Sequence, residues 1–554
     1  MKTKSFLFAL LGLTLTSCAD TPVTPVDTSN SDGGGNPSKV IGNLTGRTPY
    51  SMVRDGDEKA HFIGKEGVPF LANSSLMRFD ELACCDFLSP EETEPYFALA
   101  KETGLSFLDV PFMWSQSEKE EGLFDNSTIN TYLNLAKKYG LKLNLIWYGS
   151  WVDGDCHGVN IPDYIYANPD KYEVLQDLFD FEPFGYSKIM NWSDPDLLEA
   201  ESYALWQLMN AVGRWNDANN NYDPVLMVQI GQGIDRFQRW RVEAYAVQGQ
   251  SGTMSYDEAW AMANDYYTAM GKAVKYASYK AITRAEFCEQ SAVTNYVRLA
   301  KDTPYMDLVC PTYLHTISSA KSGMRDFSEE YPDMPVVNAE NFGDDASDRS
   351  MLVQIASGGV GFTSFSLSPA RYYPLIPNGT LYGRYNPEGG ETLAEQFPEV
   401  NGRASKNKAA LRALSMVDAA AASATRKEFA LLGFDNLVSD EQKIYFENGI
   451  LLHYSNPAET FGYAIKKGNY LYCYSDKAAS ITLNNCVVTA ASVGMQSEGE
   501  WIQADEVVNV VDNKTVNLEA GLCYRLRITN IGEPLSRSEL SQQGYKSISD
   551  SIRG

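Results

Sequence analysis

From about residue 66 to about residue 367 the chain repeats one unit, a short apolar run followed by an amphipathic one, and this rhythm restricts the fold more than any other feature. Strands that alternate with helices are joined by crossovers and therefore lie parallel. The apolar runs predict strands at Val68–Asn73, Leu105–Pro111, Leu141–Tyr148, Pro224–Ile230, Ala281–Phe287, Met306–Tyr313, Met334–Ala339 and Gly359–Leu367. Helices are expected at Glu92–Thr103, Asn130–Tyr139, Pro195–Ala218 and Tyr256–Ser278, the second closing at Gly140, a residue suited to a helix C-terminus. Eight such units make a closed (β/α)8 barrel the economical α/β fold. An open doubly wound sheet is the competing arrangement, but no Gly-rich phosphate loop opens any of the helices.

If the strands close into a barrel, chemistry belongs at their carboxyl ends. The stretch Asp333 to Asp345 reads as an apolar strand ending in Glu340, followed by Asn341, Phe342 and Gly343, so Glu340 is the leading catalytic candidate. The plain structural reading is a strand-end Glu paired with a nearby Arg or Lys. Glu286 stands at the carboxyl end of the fifth predicted strand. Trp114, Trp147, Trp151 and Tyr313 lie at or just beyond strand ends, where their rings can stack on sugar C–H groups or plug the core beneath the mouth. Gln229, Gln232 and Asn341 have amides able to grip hydroxyls. His315 follows the sixth strand in a similar place, or serves as a loop histidine bonded to backbone.

A chain of 554 residues exceeds the roughly 250–300 at which one core stops growing, so more than one domain is expected. From Ile444 the pattern changes to short alternating runs separated by turn residues, among them Tyr470–Tyr474 and Cys523–Leu526. That pattern indicates an antiparallel β-sandwich. Its job is either to pack against the barrel or to bind carbohydrate. Between the two regions, Ala404–Ala421 reads as an Ala-rich helix. The expected division is a signal segment at 1–18, a tether at 19–40, a barrel at 41–425, a sandwich at 426–532 and a loose polar tail at 533–554.

The net charge of −25 argues against a nucleic-acid partner, whose phosphates require clustered Lys and Arg. Met1-Lys2-Thr3-Lys4, the apolar run Ser5–Leu15 and Leu15-Thr16-Ser17-Cys18 form an export signal. Its end is similar to a bacterial lipobox, which implies lipidation at Cys18, attachment to a membrane by that anchor alone and, with Ala19 following, the outer membrane of a Gram-negative bacterium. The remaining eight cysteines show no Cys-x-x-Cys spacing, and the four histidines show no metal-ligand spacing, so neither a zinc site nor any other metal or cofactor is expected. Cys473, Cys486 and Cys523 are an odd number in one region, so at least one free buried thiol is expected there.

Two stretches carry a family resemblance. Gly104 to Asp125, with Pro111, Trp114, Glu118 and Glu121-Gly122-Leu123-Phe124-Asp125, resembles the second-strand region of family 35 beta-galactosidases. Trp147-Tyr148-Gly149-Ser150-Trp151 and Gly361-Phe362-Thr363-Ser364-Phe365 resemble strands three and eight of a related barrel group. The resemblance, over about residues 65–425, implies a retaining glycoside hydrolase acting on carbohydrate, with Glu340 as the attacking carboxylate. Such chemistry uses two carboxyl groups about 5–5.5 Å apart. The family's proton donor lies within Gln-Val/Ile-Glu-Asn-Glu at the end of strand four. Here the chain reads Gln229-Ile230-Gly231-Gln232-Gly233, so Gly233 stands at the donor position. Three readings follow from that departure. Asp235 or Glu286 supplies the proton from another direction; the substrate brings a good leaving group or its own acid; or the barrel binds glycan without cutting it. General acid–base help is typically worth 10² to 10⁴-fold, so the difference is large.

Overall fold

A computed structural model of the chain describes residues 39–77, 93–150, 160–178, 187–231, 255–287, 300–312, 317–342, 347–365, 367, 403–433, 441–447, 449–455, 460–533 and 535–551. Eight parallel strands form one sheet: β1 (Ala72–Leu76), β2 (Phe107–Met113), β3 (Lys142–Tyr148), β4 (Val225–Ile230), β5 (Ile282–Phe287), β6 (Leu308–Pro311), β7 (Val336–Phe342) and β8 (Gly359–Phe365). Their order is β6-β5-β4-β3-β2-β1-β8-β7, and β6 and β7 come together at the seam, which curls the sheet into the expected (β/α)8 barrel. The described crossover helices are α1 (Glu94–Thr103), α2 (Ser127–Tyr139), α3 (Pro195–Ala218), α4 (Tyr256–Tyr276), α5 (Ile317–Glu330) and α6 (Ser347–Ala356).

The helix ends follow local chemistry. Asp194 caps α3 by accepting from the Asp196 N–H, with Pro195 in the first turn, where a missing N–H costs nothing. Ser255 and Glu258 form a capping box on α4. Gly140 ends α2 in the left-handed region at φ 66°.

The first strand differs from expectation. Pro69–Phe70 belongs instead to a small antiparallel sheet with Ser51–Val53 and His61–Ile63, and β1 begins at Ala72. Pro69 has no N–H for a central ladder. Asn73-Ser74-Ser75 is turn-like by composition, yet it is buried because its hydroxyls are bonded: Ser74 to Asp109, and Ser75 to the Ser364 carbonyl at 2.9 Å. The small sheet closes the barrel's amino end. Its Phe62 packs with Ala72, Phe107, Met227, Ile282 and Leu308, the first inward residues of their strands.

The sandwich has two six-stranded sheets. One runs in the order β9 (Phe429–Leu432), β12 (Gly462–Lys467), β13 (Tyr470–Ser475), β19 (Cys523–Asn530), β15 (Cys486–Ser497) and β16 (Glu500–Gln503). The other runs β17 (Val510–Val511), β18 (Thr515–Leu518), β14 (Ala479–Leu483), β11 (Leu451–Ser455), β10 (Glu441–Tyr445) and β20 (Lys546–Ser547). The first sheet is buried on both faces along β9, β12 and β13. Ala464, Leu471 and Leu526 face the second sheet, while Tyr463, Ile465 and Tyr472 share the barrel's apolar cluster with Leu411 and Leu414 of α7 (Arg403–Ser415). Tyr463 also donates to the Ala413 carbonyl at 2.7 Å. Packing against the barrel is therefore one role of the sandwich. The tail, expected to be loose, is held: Ser536 and Glu539 cap a short helix, β20 pairs with β10, and Leu540 and Tyr545 bury against Leu451. Cys473, Cys486 and Cys523 are all free and buried, as is Cys310 of β6.

The expected Ala-rich helix breaks at Met416–Val417 into α7 and α8 (Asp418–Ser423). Asp418 accepts from the Leu71 N–H at 3.2 Å, and burial raises its carboxyl to about 7 despite that bond. An acid whose folded pKa lies above its unfolded value near 3.9 holds its proton more tightly when folded. Stability then falls as pH climbs from about 4 to about 7 and levels off above. Asp418→Asn is therefore expected to raise the thermal midpoint at pH 8 and to change it little at pH 4. Equal shifts at both values in thermal melts would overturn this.

Candidate active site at the barrel mouth

The barrel interior is built by alternation. On β2, Leu108, Val110 and Phe112 join the outer apolar cluster, so Phe107, Asp109, Pro111 and Met113 point inward. The same alternation turns Ser74, Asn144, Gln229, Arg284 and Thr363 inward, and these residues form one bonded network around Asp109. The Asp109 carboxylate accepts from Ser74, from Asn144 Nδ2 at 2.7 Å, from Thr363 Oγ1 at 2.9 Å and from the Arg284 guanidinium. Arg284 Nε in turn donates to Gln229 Oε1 at 2.9 Å. Six of the eight strands are thereby tied at one level, with Asp109 and Arg284 both fully buried. Burial disfavours the Arg284 charge, but attraction to Asp109, and then to Cys310 and Glu286, outweighs it and holds the guanidinium above its ordinary range. Burial also pushes the Cys310 thiol up to about 12, so it has no thiolate character near neutrality.

This polar layer separates the apolar plug at the amino end from the mouth. One inward position further along β5 stands Glu286, paired in register with Cys310 and only 6% exposed. Glu340 reaches the same side by a different device. Asn338 of β7 faces outward, donating to Gln354 of α6 at 3.0 Å, so strict alternation would turn Glu340 outward too. The register prevents this: Asn338 pairs with Phe362 and Asn341 with Ser364, leaving Ala339 and Glu340 together opposite Thr363. Two residues against one is a β-bulge, which resets the alternation and re-aims the side chain. Glu340 thus shares the rung of Thr363, whose hydroxyl points inward to Asp109, and it is half-buried there. β7 also runs on to Phe342, so Glu340 lies within the strand and not just past it. Only β6 stands between β5 and β7.

The aromatic candidates that are described are enclosed. Trp114 is buried at the start of a single helical turn after β2, and its Nε1 donates to Glu118 Oε2 at 2.8 Å. Glu118 also accepts from the Gly122 N–H at 2.7 Å, which fixes the turn whose Glu-containing sequence carried the resemblance. Trp147 points outward from β3 and donates to Glu201 Oε1 at 3.0 Å. Neither ring face is open. Gln229 spends its amide on Arg284 and the Gly231 carbonyl, inside the polar layer. Asn341 keeps its ladder position opposite Ser364. Trp151, Gln232, Gly233, Asp235, Tyr313, His315 and Cys18 lie outside the described residues.

Two features escaped the sequence reading. Glu201 of α3 is fully buried and collects four donors: Trp147 Nε1, Tyr266 OH at 2.6 Å, and both the N–H and hydroxyl of Ser150. Burial still raises its carboxyl above the usual range, against those bonds. A Cβ at Gly149 would meet Glu201 Oε1 at 1.8 Å, so glycine is required where the chain leaves β3. The polar layer is the second. Its signal was present as Asp109, Asn144 and Gln229, each a polar residue flanked by apolar ones within a strand, and as Arg284 in the mixed strand Ile282–Phe287.

These features define an eight-stranded parallel barrel with carboxylates on the inward side near its carboxyl end. No protein-family model matches the chain, and no curated protein matches it. Among solved structures it is similar to the exo-beta-1,4-mannosidase Op5Man5 from Opitutaceae bacterium strain TAV5 (14% identity, 59% of this chain and 57% of that chain, TM-score 0.40). It is also similar to the endo-beta-1,4-mannanase from Thermotoga petrophila (10% identity, 81% and 90%, TM-score 0.40). A third is a family 39 glycoside hydrolase from Bacteroides cellulosilyticus WH2 (9% identity, 87% and 88%, TM-score 0.41). The chain spans little more than half the length of the mannosidase. Barrels of this connectivity carry many unrelated chemistries, so these likenesses assign no activity.

Proposed function

We propose that the barrel mouth binds a glycan and hydrolyses a glycosidic bond, with Glu340 as the attacking carboxylate in a retaining, beta-galactosidase-like reaction. The observation that supports this most is the bulge in β7, which brings Glu340 to the inward side with Glu286 two strands away. Neighbouring strands lie about 4.8 Å apart, so two steps separate the backbones by roughly 10 Å before the side chains converge. That spacing leaves room for a sugar ring between the two carboxyl groups. Glu286, or Asp235 beyond β4, is the proposed proton carrier in place of the glycine at 233. Trp151, Tyr313, His315, Gln232 and Asn341 are the proposed sugar contacts, and Cys18 the proposed lipid anchor on the outer membrane.

A second reading, glycan binding without cleavage, is favoured by one observation. Gly233 stands at the position where the resembled barrels carry their proton donor, and glycine has no proton to give. Turnover of a panel of aryl glycosides separates the two. Under the hydrolase reading Gly233→Glu is expected to raise turnover of substrates with poor leaving groups by about 100-fold or more, in the range of general acid help. No turnover by either protein, with saturable sugar binding weakened by Trp151→Ala, would establish the receptor instead.

A further inference from the structure

One carboxyl group outside the barrel gathers the exits of three neighbouring strands, β2, β3 and β4. Glu201 is fully enclosed, its two oxygens accept from four donors, and no cation stands within ion-pair distance of it among the described residues. A carboxylate accepts along about four lone-pair directions, so it is filled. Two of the donors belong to Ser150, the second residue past β3, whose N–H reaches Oε2 at 3.1 Å beside its own hydroxyl. Sheet pairing ends at Tyr148, so from there side chains set the path of the backbone. The Ser150 carbonyl accepts from Trp192 Nε1 at 3.2 Å, and the Gly149 carbonyl accepts from the Asn160 side-chain amide. The Asn160 backbone carbonyl in turn takes the Ser115 N–H, past β2, at 3.0 Å. On the other side the Trp147 carbonyl takes the Gly231 N–H, the first past β4, at 3.1 Å.

We propose that Glu201 is a positioning residue for the barrel mouth, fixing through Ser150 where the chain turns out of β3 and through Trp147 where it leaves β4. Its use there rests on the reading of the mouth as a glycan site, because the exit of β4 leads to Gly231-Gln232-Gly233, where the resembled barrels carry their proton donor. The approach is close on the β3 side: Glu201 Oε1 lies 1.8 Å from where a Gly149 Cβ would stand. Helix α4 supplies the remaining donor, Tyr266 OH at 2.6 Å, so the same carboxylate has a mouth side and a helix side. The two sides can be separated by substitution. Glu201→Gln keeps the side chain's shape and puts an NH2 group in place of one acceptor. A hydroxyl facing that group can rotate and accept, but an N–H cannot, so either Ser150 or Trp147 loses its bond. Tyr266→Phe removes a donor from the helix side only and leaves both mouth contacts.

The test compares amide hydrogen exchange and sugar kinetics in the whole chain. In Glu201→Gln the Ser150 or the Gly231 amide is expected to exchange at least about tenfold faster than in wild type, while the β1 amides keep their rates. Its kcat/KM for an aryl glycoside is expected to fall by about 10- to 100-fold, the scale of a misplacement of about 1 Å, and a chain that only binds is expected to show the loss in its Kd for sugar. Tyr266→Phe is expected to stay within about twofold on both measures, since it gives up one neutral hydrogen bond away from the mouth. Equal losses in the two variants would make the role merely structural and overturn the proposal, as would unchanged exchange at both Ser150 and Gly231. Should Glu201→Gln not fold, Ser150→Ala, which removes a single hydroxyl from the mouth side, takes its place against Tyr266→Phe with the same expected order. A wild-type chain with neither turnover nor sugar binding would end the glycan reading, and the exchange rates would still decide whether Glu201 holds the exits.

Discussion

Glu340→Gln is expected to lower turnover of an aryl glycoside by on the order of 10³-fold or more while leaving the thermal midpoint nearly unchanged. The size follows from what the amide cannot do. It keeps the volume and hydrogen-bonding reach of the carboxylate, but it is a poor nucleophile and cannot offset positive charge developing at the anomeric carbon. A loss of 10³ corresponds to about 4 kcal/mol of transition-state stabilisation. The fold is expected to tolerate the change because the bulge belongs to the backbone register of β7 and β8 and not to the Glu340 side chain. Steady-state rates together with a thermal melt make the check. Unchanged rates would remove Glu340 from the mechanism, and a large drop in midpoint would show that it is structural.

Arg284→Met is expected to cost about 3–5 kcal/mol of stability, the largest structural effect foreseen for a single side chain here. Removing the guanidinium leaves the Asp109 carboxylate at zero exposure with only the neutral donors Ser74, Asn144 and Thr363. Gln229 also loses the donor to its Oε1. The penalty comes from the unpaired charge, not from any great net worth of the pair, since bringing both ions out of water is itself expensive. The double variant Asp109→Asn with Arg284→Met is therefore expected to be more stable than Arg284→Met alone. Denaturant titrations of the three proteins decide this, and a single-variant cost below about 1 kcal/mol would show that water already reaches the pair. The same layer supports the mouth, because Arg284 and Glu286 are successive inward residues of one strand.

The chain by itself determined the order and type of its elements. Helix α3 has the bounds read from sequence, because Asp194 and Pro195 mark its start by local hydrogen bonding and restricted φ, and an apolar stripe runs its length. Strands two, three, four, five, six and eight were legible to within two residues for the same kind of reason. The change to two-residue alternation after Ile444 exposed the sandwich. The net charge of −25 argued against a nucleic-acid partner without any coordinates.

Tertiary structure decided the rest, and in each case the cause is an interaction between residues distant in sequence. Asp109 and Arg284 are 175 residues apart, so no local pattern could show that two isolated charges neutralise each other in the barrel centre. Trp147 was ambiguous between a sugar platform and a plug until Glu201, 54 residues on, took its N–H. The direction of Glu340 depends on a register slip against β8 that strict alternation does not contain. Sequence writes the local preferences of each segment; which polar groups leave water together, and which strand carries the extra residue, is settled only when the strands close on one another.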